Sequence, residues 1–439
     1  MTLLKPAPMR RLANALLVLT LSPTVALAQQ QVPATEQPST QAPASDVPAA
    51  DAPPTENTAP ATTSEADAAP ADIDERMTIA EGKVAALEEQ NTETKNDLLS
   101  LKRLKISGYV QGRYQYQESL DDSGAGGFSR FSVRRGRLKT TYTTDWAQLM
   151  LQIDAVPAPP GVTVRDAEAT LFIPGTKQQL SLTLGQMKWP FGYEAVQSSS
   201  DREMPERTRV IRAFLPDERD RGIKFAGNFL EGKMNVSVGL FDGDGIFNQG
   251  YIGSDNDKEK DFIGRAGFDL GWLSGGVSGW HGYSIAKAPS DTYRKAYTRE
   301  RLGLDAQVYL DVLPFGATAI KGEYIVGKGY WKSSGDVKVE QLGIPASGWY
   351  GLIVQNVGLT NAVAVRYDWF DPEHGRKNAA VDGRPASTNT VGTLGVSLLH
   401  YFGENLKVTA AYEMPMTAAP DGAQEPHDNL FTLQMQARY

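Results

Sequence analysis

From Lys105 to Tyr439 apolar and polar residues alternate with a period of two, in segments of roughly ten residues, the span of a tilted strand across a bilayer. Ile106, Gly108, Val110, Gly112, Tyr114 and Tyr116 fall on one side of the first segment. Ser107, Tyr109, Gln111, Arg113, Gln115 and Gln117 fall on the other. Successive strand side chains point to opposite faces, so each segment reads as a strand with one apolar and one polar face. The pattern returns in Ala147 to Asp154, Met234 to Phe241, Leu302 to Tyr309, Asn361 to Trp369, Leu406 to Glu413 and Leu430 to Tyr439. It is less regular in Phe131 to Tyr142, Val164 to Ile173, Leu180 to Met187, Gly222 to Phe229 and Phe262 to Leu270. The same holds for Val277 to Tyr283, Ala317 to Ile325, Trp349 to Gln355 and Thr390 to His400. The expected total is sixteen strands, an even number.

The connections alternate as well. Short ones are Thr144-Asp145, Pro174-Gly175-Thr176, Glu231-Gly232, Trp272-Leu273-Ser274, Pro314-Phe315, Val357-Gly358 and Gly403-Glu404-Asn405. Between them stand longer polar ones at 118–130, 156–163, 188–221, 242–261, 284–299, 326–348, 370–389 and 414–428. A soluble sandwich has no reason to keep this parity. An outer-membrane barrel does, with tight periplasmic turns and long outside loops, and both barrel ends then lie in the periplasm. A mean hydropathy of −0.35 resembles that of a soluble protein because alternating strands hide their apolar faces from an average. No segment after the N-terminus holds the roughly 18 apolar residues of a membrane helix. Aromatic residues at expected strand ends (Trp146, Trp189, Phe229, Trp272, Tyr324, Trp369, Tyr401 and Tyr412) would form interfacial girdles. The last strand puts Phe431, Leu433, Met435, Ala437 and Tyr439 on one face and ends on an aromatic. The fold class expected is all-β: a 16-stranded antiparallel transmembrane β-barrel preceded by a short α-helical coiled coil.

Residues 1–28 read as a signal peptide: Lys5, Arg10 and Arg11, an apolar run at Leu16 to Leu21, and the small-residue end Ala26-Leu27-Ala28. Residues 29–72, rich in Ala, Pro, Thr, Ser and Gln, cannot bury enough surface to offset chain entropy and read as a disordered linker. In 73–104 the residues Ile73, Met77, Ala80, Val84, Leu87, Asn91, Thr94, Leu98 and Leu101 follow a 3.5-residue period. The flanking pairs Arg76/Glu81, Lys83/Glu88 and Asp97/Lys102 join opposite charges, which favours parallel pairing of identical chains. Residues 105–439 form the barrel.

With apolar residues facing lipid, the opposite parity lines the lumen. Arg113, Arg135, Arg137 and Lys139 then point inward from the first two strands, joined by Lys224, Arg265, Lys321, Arg366, Lys407 and Arg438. Asp154, Asp166, Glu168, Asp269, Asp305, Glu323, Asp368 and Glu413 are the inward acids. Opposed charged walls in a narrow water column favour charged, dipolar solutes, and an excess of bases favours anions. The longest connection, 188–221, is placed to fold inward and set the narrowest point. It carries Lys188, Arg202, Arg207, Arg209, Arg212, Arg219 and Arg221 against Glu194, Asp201, Glu203, Glu206, Asp217, Glu218 and Asp220.

Two stretches resemble the phosphate-selective porin O and P family: Phe131-Ser132-Val133-Arg134-Arg135-Gly136-Arg137-Leu138 running on to Asp154, and Leu184-Gly185-Gln186 through Phe191-Gly192-Tyr193-Glu194 to Arg207. The resemblance implies a trimer of sixteen-stranded barrels, each with its own pore. It also matches the family's paired arginines to Arg134 and Arg135, of which strand parity turns only Arg135 inward. The family's phosphate-selecting members would carry a lysine after the loop's Gly-Leu-Glu. Here the segment reads Gly192-Tyr193-Glu194-Ala195, which weakens a phosphate site.

No catalytic constellation is present. The four histidines (His281, His374, His400 and His427) are scattered, and Ser397 and His400 have opposite parity. With no cysteine, thiol catalysis and disulfide scaffolds are excluded, and a net charge of −8 speaks against nucleic acid as a partner. No metal or other cofactor is expected. The reading is a passive outer-membrane channel for small hydrophilic solutes, anion-preferring, with its linker and coiled coil in the periplasm. Its partners would be outer-membrane lipid, two further copies and small anions. The alternatives are a tether joining the barrel to the cell wall through the linker, or a porin selecting cations, sugars or peptides.

Overall fold

The computed structural model describes residues 69–118, 126–156, 161–216, 218–243, 245–246, 258–286, 295–334, 337–374, 390–417 and 428–439. The expected signal peptide, and the expected linker as far as residue 68, lie outside the described residues. Helix α1 (Ala69–Arg103) opens with Pro70 in its first turn and closes with Lys102 and Arg103. Proline lacks an N–H that would go unused there, and the basic pair sits against the negative end of the helix dipole. The helix starts at Ala69 rather than Ile73. Its seam residues Met77, Val84, Leu87, Leu98 and Leu101 are all exposed in the single chain. Among the described residues, no helix is long and apolar enough to cross a membrane.

Sixteen strands follow. In the first half they are β1 (Leu104–Gln117), β2 (Phe128–Thr143), β3 (Ala147–Asp154), β4 (Thr163–Phe172), β5 (Leu180–Lys188), β6 (Arg219–Phe229), β7 (Met234–Phe241) and β8 (Asp261–Asp269). The second half comprises β9 (Leu273–Ala286), β10 (Lys295–Leu310), β11 (Thr318–Ser334), β12 (Val337–Val357), β13 (Asn361–Asp371), β14 (Val391–Phe402), β15 (Leu406–Thr417) and β16 (Leu430–Arg438). Each pairs antiparallel with its neighbours, and β1 closes the barrel on β16 with Tyr109 opposite Arg438 and Gln117 opposite Leu430. Closure leaves no open edge, which hydrocarbon would not tolerate.

The two faces separate as period-two alternation demands. Ile106, Val110, Phe131, Leu149, Leu151 and Leu184 are exposed on the outside, and Gln111, Arg135, Thr432 and Gln436 are buried inside. Gln111 donates to Gln436 Oε1 at 2.6 Å and accepts from Arg135 at 2.9 Å, tying three neighbouring strands across the lumen wall. The expected short turns are present; in the first, Thr144 Oγ1 accepts from the Ala147 N–H at 3.0 Å.

The connection expected at 326–348 is a correction. β11 runs on to Ser334 and β12 begins at Val337, with Ser334 paired to Val337. Tyr330 and Trp331 supply β-favouring residues that prolong the ladder. The expected 284–299 connection shortens likewise, because β9 extends to Ala286 and β10 starts at Lys295.

Two expected girdle residues sit inside instead. Trp189 is 2% exposed and stacks edge-on against Trp280, their centroids 4.9 Å apart. Tyr401 pairs with inward Lys407 and packs on the buried core. That core is off-centre. It joins Trp189, Phe191, Val210, Ile211, Phe214 and Leu215 of the β5–β6 connection to inward residues of β7 through β14.

Candidate functional site

Residues 189–218 leave β5 and return to β6 through the barrel interior, carrying the short helix α2 (Arg209–Phe214). Burying a large apolar side chain brings about 1.5–3 kcal/mol, so this loop is held where its Phe and Ile residues find apolar wall. Phe214 lies edge-on to Phe370 at 6.2 Å. Glycines make room: a Cβ at Gly303 would meet the Phe191 ring at 2.8 Å, and one at Gly348 would meet Val210 at 2.9 Å. Polar clamps complete the docking. The Gly192 N–H donates to Ser278 Oγ (2.9 Å), and Lys321 donates to Glu203 (2.5 Å). Lys407 donates to the carbonyls of Ser200 (2.7 Å) and Arg202 (3.0 Å), Arg301 to that of Phe214 (2.7 Å).

Several residues expected on the pore wall or on the constricting loop are taken up in internal contacts. Arg366 is 2% exposed, donates to the Glu206 carbonyl at 2.7 Å and pairs with Glu413 at 2.9 Å. Glu194 accepts from the Thr208 N–H and hydroxyl (2.6 Å to the latter). Arg207 spans the loop, donating to the Glu194 carbonyl (3.0 Å) and to Glu218 (2.5 Å). Arg265 is paired with Asp305 at 2.7 Å. Arg366, Glu194 and Arg207 thereby hold the loop, while Arg265 is spent on a pair between β8 and β10.

Arg134 is a further correction. The β1–β2 register slips between Gln111 and Gly112, so that Arg135 faces Gln111, Val133 faces Gly112, and Arg134 is the extra residue. A bulge re-aims the side chain it carries. Arg134 therefore points inward and grips Glu206 with Nε at 2.6 Å and Nη2 at 3.2 Å. Arg113 reaches the same carboxylate at 2.8 Å and Arg135 at 3.6 Å. Burial alone would raise the Glu206 carboxyl, but Arg134 and Arg135 override it and hold it well below the usual carboxylate range. Glu218 is likewise held down, by Arg207 and Arg219 acting against burial. Arg202 is 4% exposed, and none of its guanidinium nitrogens finds a hydrogen-bond partner among the described residues.

Open space remains against β1 to β6. A cavity of about 510 Å³ is lined there by Tyr109, Glu168, Ser199 and the lysines Lys139, Lys188 and Lys224. Six basic and two acidic side chains border it. Arg137 is paired with Asp154 (2.9 Å) and Arg219 with Asp166 (2.7 Å), whereas none of the three lysines forms an ion pair among the described residues. Lys188 Nζ donates to the carbonyls of Val196 (2.7 Å) and Gln197 (3.1 Å), beside the Ala195 position. On β2 Arg130 lies over the Phe128 ring at 4.2 Å; within the loop, Arg209 is half-buried and Arg212 is exposed on α2.

The family match covers β1 to β8, the strands of this wall among them. The model of the family described as phosphate-selective porin O and P matches residues 102–272. No curated protein matches the chain. Solved structures extend the fold likeness to the whole barrel. The outer membrane channel DcaP of Acinetobacter baumannii is 12% identical, with a TM-score of 0.56 over 76% of this chain and 97% of its own. The anion-selective porin from Comamonas acidovorans is 14% identical, with a TM-score of 0.52 over 76% and 99%. The trimer form of OmpT, an outer membrane protein of Vibrio cholerae, is 12% identical at 0.50 over 76% and 99%. The barrel thus has the fold of outer-membrane porins.

Two features were not singled out from the sequence. The role of Glu206 as the shared partner of three arginines depends on contacts 72 and 93 residues away along the chain. The dry half of the lumen wall carried a readable signal, since Gly303 and Gly348 are small where a loop must approach closely.

Proposed function

We propose that the chain is an outer-membrane channel for passive diffusion of small hydrophilic solutes, with a preference for anions. The observation that carries this reading is the 510 Å³ cavity bordered by six basic and two acidic side chains, three of the six being lysines without a carboxylate partner among the described residues. Such a wall raises the local concentration of anions and lowers that of cations. The family match over the same strands and the anion-selective neighbour agree with it.

The remaining assignments belong to the same proposal. Residues 1–28 act as the export signal, 29–72 as a periplasmic linker, and α1 joins its exposed seam to two further copies in a homotrimer set in lipid. Mass measurement in detergent, with and without residues 73–101, tests the last point; an unchanged mass would remove the coiled coil from assembly.

The reversal potential of the purified protein in a planar bilayer under a potassium chloride gradient tests the selectivity. The sign should report chloride over potassium, and Lys139→Gln with Lys224→Gln should move it toward potassium. A cation-selective wild type would overturn the anion preference. Absence of conductance would favour the tether.

A further inference from the structure

Glu206 sits where a diffusible anion would be held. Its two oxygens take both donors of the Arg134 fork, at 2.6 and 3.2 Å, while Arg113 and Arg135 close in at 2.8 and 3.6 Å. Paired, parallel N–H bonds from one guanidinium are the geometry in which arginine recognises carboxylate, sulfate and phosphate groups alike. Among the described residues, three guanidiniums converge on this one carboxylate. Arg202 adds a fourth nearby positive charge, buried and without a hydrogen-bond partner among the described residues. Nor is the cluster sealed, for the Glu206 side chain is 20% exposed and that of Arg134 36%.

The carboxylate is also supplied from outside the wall that binds it. Arg113, Arg134 and Arg135 belong to β1 and β2, whereas Glu206 belongs to the inward loop, whose backbone at this residue is held separately by Arg366. The side chain can therefore leave the arginines without the loop leaving its wall.

We propose that Arg113, Arg134 and Arg135 form an oxyanion site whose resident ligand is the tethered carboxylate of Glu206, and that a small oxyanion in the lumen exchanges with it. This rests on the anion-channel reading and deepens it. A tethered group competes at an effective concentration in the millimolar range, so a passing oxyanion finds the site partly occupied and stays briefly. The built-in competitor converts a tight site, which would trap its solute, into a relay step that lets it go. Binding weak enough to leave is a condition of conduction.

Sulfate block of chloride current tests the exchange. Glu206→Gln keeps the shape and the backbone carbonyl that Arg366 holds, but removes the competing charge. Its half-blocking sulfate concentration should fall by about tenfold or more relative to wild type, the scale set by removing a millimolar competitor. In Glu206→Ala, added formate should refill the vacated position and push the sulfate block back toward the wild-type value. Should neither variant insert into bilayers, Glu206→Asp, which keeps the charge but shortens the reach, must show the same tightening in smaller measure. Unchanged sulfate block in an inserted variant with wild-type thermal stability would overturn the proposal. The two readings fail separately: a wild-type reversal potential favouring potassium sinks the anion channel, while chloride preference with sulfate block indifferent to Glu206 sinks only the exchange.

Discussion

The two halves of the lumen wall use the same strand alternation to opposite ends. On β1 to β6 the inward positions are polar, with Arg113 and Arg135 turned to the loop and Arg137, Lys139 and Lys224 bordering the open cavity. On β7 to β14 inward positions such as Ile263, Trp280, Ile325, Tyr350, Leu352 and Phe370 are apolar and dry beneath the loop. One half borders the open space; the other seats the loop that crosses the interior. The difference teaches that in a wide barrel the inner face is not a single environment. A loop that covers half of it turns that half into a protein core.

The largest effect should come from breaking the dry half. Phe214→Ala removes a fully buried ring packed on Phe370, at a cost of about 3–5 kcal/mol, the usual range for such truncations. Single-channel conductance should rise and fluctuate as the loop loosens, and the loop should become susceptible to protease. A variant with unchanged conductance would mean that the polar clamps suffice without the apolar seat.

A smaller effect is expected where the wet half reaches across to the loop. Arg134→Gln loses a two-pronged charge-assisted contact with Glu206, a loss of about 1.5–3 kcal/mol. Arg135→Gln, whose charge sits at 3.6 Å, should perturb current noise less. If Arg134 faced lipid, as uninterrupted alternation would have it, its substitution would leave the current untouched.

Mild acid should have the smallest effect of all. Glu206 and Glu218 are both held below their ordinary value, near 4.3 for an unperturbed glutamate. The stabilisation they bring is therefore complete above that value and is lost only as pH falls through the lowered ones. Conductance and loop protection should stay constant from pH 7 to about pH 5, with loosening confined to stronger acid. Opening already at pH 5 would show that the Arg207–Glu218 pair does not clamp the loop.

Much of the wet half was legible beforehand. Period two and alternating connection lengths are local properties of the chain, so strand number, closure and the inward direction of Arg113, Arg135, Arg137 and Lys139 could be read residue by residue. Strand parity alone misplaced Arg134, which the family resemblance pairs with Arg135, because a bulge is decided by two strands together. Trp189 was misplaced because an aromatic at a strand end suits a lipid interface and a buried loop equally. Strand parity turns Arg366 inward and Glu194 lies on the inward loop, but which charges border open space depends on what covers them.

The sequence by itself determined the barrel, since side-chain alternation and the requirement that every backbone group be bonded inside lipid leave a closed sheet as the only outcome. Only the tertiary structure decided where the passage runs. That depended on the loop seating its apolar residues against β7 to β14 and placing Glu206 among the arginines of β1 and β2. Contacts between residues 72 to 207 positions apart set the free energy of that arrangement, and no local pattern records them.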